Sequence, residues 1–323
     1  MSRAAPLRET PLARVDLGQP LVPAFRPLDL APLMDSIRAV GLLSPPWLRR
    51  RGRDRWQVVA GGKRLQAAAQ LGWDHAPAHL LPARTADSRC LLIYLHDNAF
   101  TRGFNLAEQA WLACRLFKDW NRREGAARFL PLLGQPASPR VLARLLALAR
   151  LEGPFQVLAA QGRLALTAAA VLADWGPEGR AAVWPFLEGL PLSQSLQEEF
   201  LEGLELLARR QGVGPGKILG RLGLRPYLGD PCLTPPERVR AVRCELGRLV
   251  SPRLGAAQEA FAAALGRLGL KDHPRLRLAA PPAFEGDDFH LEVKFRDAAE
   301  LKRLLEELTR LYQKDEFAKL TSR

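Results

Sequence analysis

No run of about 18 apolar residues occurs anywhere in the 323-residue chain, so no membrane-spanning helix is expected. The start, Met1 to Thr10, lacks the apolar stretch of a secretory leader. Cysteine is scarce: there are four, at Cys90, Cys114, Cys232 and Cys244. None forms a C-x-x-C pair and no histidine stands at ligand spacing, which excludes a structural zinc site and a disulfide framework. Tandem repeats, low-complexity tracts, a Ser-His-Asp set and an acidic metal cluster are also missing. These absences make the cytoplasm the expected compartment, with no membrane partner. What is plentiful is positive charge, with 47 Lys and Arg against 34 Asp and Glu, a formal +13. Such a field attracts polyanions, nucleic acid first. An abundance of Arg, Ala, Leu and Gly is also what GC-rich coding produces, so charge by itself leaves both readings open. At 47% apolar residues the chain can bury cores, and its length suggests two or three domains.

Leu30, Leu33 and Ile37 share a helical face, and Gly41 is placed to end that helix. Trp47-Leu48 and Trp56 to Val59 read as strands flanking a basic turn, Arg49 to Arg55. Gly61-Gly62 breaks the second strand, and Lys63 to Leu71 reads as a helix closed by Gly72. Ala78 to Leu81 reads as a strand and Asp87 to Leu95 as a helix. This alternation suggests an α+β domain. From Asn105, which with Glu108 forms a capping-box signature, to about residue 225 only helical patterns occur; Ser195 with Glu198 repeats that signature. Residues 226–234 read as a linker. Beyond it come helices over about 235–249 and 252–269, paired strands at 276–279 and 289–295, and a helix capped by Asp297 and Glu300. Leu301, Leu304, Leu305, Leu308 and Leu311 stripe that last helix.

Three features carry chemistry. First, Val58 to Ala68 runs strand, Gly61, Gly62, then a helix beginning Lys63-Arg64. Glycines admit backbone N–H groups close to an anion and the helix start adds positive charge, so this reads as a phosphate cradle or as an ordinary glycine turn with solvated cations. Second, a short apolar helix ends at Gly134, then Ser138 caps a new helix with Pro139 at its first position. On it Val141, Leu142, Leu145, Leu148 and Ala149 face one way, with Arg140 and Arg144 opposite. An apolar back and cationic front suit a DNA-reading helix, or a plain helical hairpin. Third, Arg49, Arg50, Arg51, Arg53 and Arg55 either add nonspecific phosphate contacts or simply hold a turn in solvent.

The stretch Gly61-Gly62-Lys63-Arg64-Leu65-Gln66-Ala67 resembles the G-E-R-R-x-R-A box of ParB proteins, which bind CTP between three such boxes. Phe25-Arg26-Pro27, followed by Leu33 to Pro45, resembles the first box and its helix. Asp97-Asn98, followed by Asn105 to Ala110, resembles E-N-L-Q-R with its trailing E-x-A. The resemblance is close over residues 12–120, moderate over 125–205, and one of organisation alone in the last hundred. It departs at Gly62, where the family has an acid, at Lys63 and Gln66 in place of arginines, at Asp97 in place of Glu, and at Thr101, with Arg102 one place later. Sulfiredoxin shares the fold but has a Cys where this chain has Gly62, so its redox chemistry is excluded by the resemblance.

The resemblance implies a ParB/sulfiredoxin-like α+β domain over 1–104, an all-α helix-turn-helix domain over 105–228 and a small α/β dimerisation domain (helices, β-hairpin, helix) over 229–323. It implies CTP with Mg, held by Arg26, Gly61, Gly62, Lys63, Arg64, Asp97, Asn98 and Arg102, and DNA contact through Ser138, Arg140 and Arg144. Duplex DNA, a second copy of the chain and a ParA-type ATPase are the implied partners, and the nucleoid the implied place. With Gly62 where the acid belongs, hydrolysis is expected to be weak at most. The competing expectation is a transcriptional or plasmid-maintenance regulator that keeps the fold and binds no nucleotide.

Overall fold

The computed structural model describes residues 5–23, 25, 29–117, 121–281, 284 and 288–321. It divides into two compact units, Met1–Leu201 and Glu202–Arg323.

In the first unit, β1 (Leu7–Pro11), β2 (Val15–Asp16), β3 (Trp47–Arg51), β4 (Arg55–Ala60) and β5 (His75–Leu81) form a sheet in the order β1-β5-β3-β4-β2. β3 pairs antiparallel with β4 and parallel with β5; β1 runs antiparallel to β5 and β2 parallel to β4. From Trp56 to Ala60 β4 is apolar at every position but Gln57. Strand side chains alternate between faces, so an unbroken apolar run means that both faces are covered. Val58 joins a core with Leu48, Leu65 and Ala68. Val59 points the other way, to Leu81 and Cys90. The first cover comes from α2 (Gly62–Gln70) and the second from α3 (Asp87–Ala99), while α1 (Ala31–Val40) ends at Gly41, whose φ of +71° suits glycine.

Helices follow: α4 (Leu106–Leu116), α5 (Arg122–Phe129), α6 (Pro139–Leu148), α7 (Gly153–Ala160), α8 (Leu166–Asp174), α9 (Pro177–Gly189) and α10 (Gln194–Gln211). The expected capping box at Asn105 and Glu108 forms at the start of α4. The one expected at Ser195 does not: Ser195 lies inside α10, and it is the Ser193 hydroxyl that accepts from the Leu196 N–H at 3.4 Å. Between α5 and α6 lies a 3₁₀ turn, Pro131–Leu133, ended by Gly134 at φ +76°. α6 sends Leu142, Leu145 and Leu148 into the core.

The second unit contains α11 (Pro215–Arg221), α12 (Pro226–Gly229), α13 (Pro235–Val250), α14 (Pro252–Leu268), β6 (Leu276–Ala279), β7 (His290–Val293), α15 (Ala298–Tyr312) and α16 (Asp315–Thr321). The region read as a linker thus contains the short helix α12. β6 and β7 pair antiparallel. The leucine stripe of α15 is divided: Leu304 and Leu311 are buried with Leu276 and Leu278, while Leu305 stays 51% exposed. No helix among the described residues is long and apolar enough to cross a membrane.

Candidate functional site

The turn from β4 into α2 organises the site. Gly61 takes φ +82°, a left-handed conformation that lets the chain reverse directly from strand to helix. No side chain caps α2, so its first turn presents backbone N–H groups and the positive end of the helix dipole without a built-in acceptor. A cavity of about 400 Å³ opens there. That is within the range for small-ligand sites, about 300–1,000 Å³. Its lining combines apolar side chains, among them Leu17, Val22, Phe25 and Leu33, with polar and charged ones.

Gly61, Gly62, Lys63, Arg64, Asp97, Asn98 and Arg102 all line this cavity, so sequence positions 41 residues apart meet in one place. Arg26 lies outside the described residues. Lys63 is exposed. The Arg64 guanidinium donates to Asp97 Oδ2 at 2.7 Å and to the Ser44 carbonyl at 2.5 Å. This pair is well covered, with side-chain exposures of 20% and 16%. Asn98 accepts from Arg102 Nε at 2.8 Å and donates to the Tyr94 carbonyl at 2.7 Å.

Arg102 is more committed than its sequence position suggested. Its two terminal nitrogens donate to the two carboxylate oxygens of Glu108, each at 2.9 Å, and Nη2 also reaches the Tyr94 hydroxyl at 2.6 Å. Burial works against its charge, but the Glu108 hydrogen bonds and the neighbouring Tyr94 and Glu108 outweigh it and hold the guanidinium more firmly protonated than usual. Burial likewise pushes the Tyr94 phenol well up, so it stays a neutral donor. Sequence reasoning identified Glu108 as a helix cap and as the glutamate trailing the third box-like stretch, but gave it no partner in the site. In the fold it performs both tasks, accepting from the Asn105 N–H at 3.1 Å while clasping Arg102. The same spacing that marks the cap places its carboxylate at the cavity, but nothing in the spacing identifies Arg102 as its partner. Both carboxylates lining the cavity, Asp97 and Glu108, therefore already accept from arginines. Cys90 is not among the lining residues; it is buried under the sheet, and burial pushes its thiol up, away from nucleophilic use.

Ser138, Arg140 and Arg144 sit apart from the cavity, at α6. Ser138 holds the N-cap position and Pro139 the first turn, as expected, but the Ser138 side chain makes no cap hydrogen bond. Arg140 is exposed and Arg144 half-buried. Glu198 is held below the usual carboxylate range by the Thr167 hydroxyl at 2.6 Å, then by Gln194, with the nearby Arg144 charge adding to this.

Residues 4–99 match the family model of the ParB N-terminal domain. Over 65 residues, 20% of the chain, it is 40% identical to a probable plasmid-partitioning protein ParB of Thermus thermophilus, covering 22% of that protein. A second curated match, 33% identical over 192 residues, is to G-protein coupled receptor 62 of Mus musculus and covers 54% of this chain and 52% of the receptor. The chain thus spans about half the length of one curated relative and about a fifth of the other. Among solved structures, the C-terminally truncated chromosome-partitioning protein ParB of Caulobacter crescentus complexed to the centromeric parS site is 23% identical, with a TM-score of 0.36, covering 60% of this chain and 98% of that one. The same protein complexed with CTP-gamma-S is 25% identical, with a TM-score of 0.26, covering 57% and 99%. Superpositions this loose transfer no detail.

Proposed function

Because this chain is of the ParB type through its N-terminal domain at residues 4–99, we propose that it is a DNA-binding protein of chromosome or plasmid partition. In this reading residues 1–104 hold CTP and act as a switch, 105–228 bind duplex DNA through a helix-turn-helix, and 229–323 join two chains. The observation that carries it is the cavity at the side-chain-uncapped N-terminus of α2, lined by Lys63 and Arg64 and also by the apolar Leu17, Val22, Phe25 and Leu33. Apolar lining suits a base and a helix start suits phosphates. Asp97 and Asn98 are the cavity residues that would face a magnesium ion carried in with the phosphates, and such an ion commonly needs only one or two protein oxygens beyond the phosphates.

DNA contact is assigned to α6, whose apolar back is buried and whose Arg140 is exposed. Arg144, half-buried near Glu198, would turn outward to join it. Joining of two chains is supported by the apolar residues that the second unit leaves outside, Leu291, Phe295 and Leu305. A ParA-type ATPase as a further partner and the nucleoid as the place are what the resemblance adds to this reading.

A second reading, a DNA-binding regulator whose pocket has lost its ligand, is favoured by one observation: Arg64 and Arg102 are already neutralised by Asp97 and Glu108. Calorimetry with CTP and magnesium, with and without random duplex DNA, separates the two. Heat from wild type that disappears in Arg64→Ala supports the switch. No heat from wild type under either condition assigns the regulator.

A further inference from the structure

From Arg49 to Arg55 the chain reads Arg-Arg-Arg-Gly-Arg-Asp-Arg. β5 ends its pairing with β3 at Leu81, opposite Arg49. β2 pairs only with Trp56 and Gln57 of β4. Residues 50–55 therefore project past both neighbouring strands as a two-stranded tip, every one of them exposed, turning at Gly52 with φ +72°. Arg51 stands directly across the ladder from Arg55. Like charges in that position repel and weaken a hairpin.

The charges at the base of the tip are met. Arg49 donates to Asp87 at 2.5 Å and to Gln57 at 2.6 Å. The tip's own acid, Asp54, faces Arg14 at 3.5 Å rather than its arginine neighbours. Arg50 reaches only the Arg53 carbonyl, at 2.7 Å, which leaves its charge in place. Among the described residues no carboxylate lies within ion-pair distance of Arg50, Arg51, Arg53 or Arg55. Four cations are thus held together at the end of a strand pair, against local stability. Such a conflict between local energetics and placement is what a binding surface leaves behind.

We propose that this tip is a second, sequence-independent contact to the phosphate backbone of duplex DNA, separate from α6. Guanidinium groups take phosphate oxygens in bidentate fashion, and a regular line of phosphates asks for charge and nothing else. A protein partner would call for an aromatic or apolar anchor. The tip offers none, since Trp56 at its base is half-buried against the sheet core.

The proposal rests on the DNA-binding reading, and the experiment tells the two apart. Binding of the full chain to a random-sequence duplex is followed by fluorescence anisotropy from about 50 to 200 mM salt, for wild type, for R51A/R53A/R55A and for R51K/R53K/R55K. Each phosphate contact contributes about 0.9 to the slope of log affinity against log salt. The alanine variant is expected to lose about 2–3 from that slope, keep its melting temperature or raise it, and bind more weakly at low salt. The lysine variant, which keeps the charges, is expected to stay close to wild type. An alanine variant with the wild-type slope overturns the tip and leaves the DNA-binding reading standing. Wild type that binds no duplex overturns both. A loss confined to binding of poly-glutamate, with DNA binding unchanged, reassigns the surface to an acidic peptide and overturns the nucleic-acid assignment.

Discussion

Two adjacent glycines should respond oppositely to the same substitution. At Gly61 the backbone sits at φ +82°, and an added Cβ would lie 2.8 Å from Pro46 Cβ and 2.9 Å from Arg64 Nη2. Holding alanine in the left-handed region costs about 1–2 kcal/mol. The Pro46 ring is rigid, so the turn itself must shift to clear it, and the Arg64 side chain must move as well, which breaks its bonds to Asp97 and Ser44. A hydrogen bond to a charged group is worth about 1.5–3 kcal/mol. Arg64 keeps some of this by finding water, which brings the whole to roughly 2–4 kcal/mol. At Gly62 an added Cβ meets only Val58 Cγ1 at 3.5 Å, an ordinary contact. There Gly62→Ala should be neutral or stabilise by about 0.4–1 kcal/mol, because alanine has less freedom to lose on folding. In a unit of this size 1 kcal/mol moves the melting temperature by about 2–4 °C. Thermal unfolding by circular dichroism should therefore show Gly61→Ala melting roughly 5–15 °C lower, and Gly62→Ala unchanged or slightly higher. Equal loss in both variants, or none at Gly61, would refute the steric argument and with it the claim that this turn holds Arg64 in place.

Wild type should release phosphate from CTP near background in the presence of magnesium and DNA, because both cavity carboxylates are spent on arginines; Gly62→Glu, whose Cβ would meet only Val58 Cγ1 at 3.5 Å, is the variant expected to raise it, and turnover in wild type itself would show the catalytic group misassigned. Glu108→Gln removes the charge that Arg102 leans on and should cost about 1.5–3 kcal/mol in urea unfolding, whereas a wild-type midpoint would mean that the cap alone matters. R140A/R144A should weaken binding to the protein's own DNA sites by about 1–3 kcal/mol for each arginine that reads a base; unchanged affinity in anisotropy removes α6 as the reader. Sedimentation at micromolar concentration should give a dimer for the full chain and a monomer for a chain ending near residue 225, and a monomeric full chain would count against the second unit as the joining surface.

Much of this protein was legible from local pattern. The β4–Gly61–Gly62–α2 turn, the Asn105 cap, the Gly134–Pro139 junction and the order of β6, β7 and α15 follow from short-range rules of periodicity, capping and glycine conformation, which act within a few residues and so leave marks in the sequence. Other features left none. β1 reads Leu-Arg-Glu-Thr-Pro, mostly exposed, and is a strand only because β5 offers it an edge. The leucines of α15 look alike in sequence, yet the sheet beneath them buries Leu304 and Leu311 and leaves Leu305 outside. The pairings at the site belong to the same class. Arg64 and Asp97 are 33 positions apart, and Arg102 stands six residues from Glu108 across a loop. Which cation meets which carboxylate depends on how α2, α3 and α4 are brought together. That is set by the packing of side chains against a shared core, an energy summed over the whole unit, which no local stretch of sequence records.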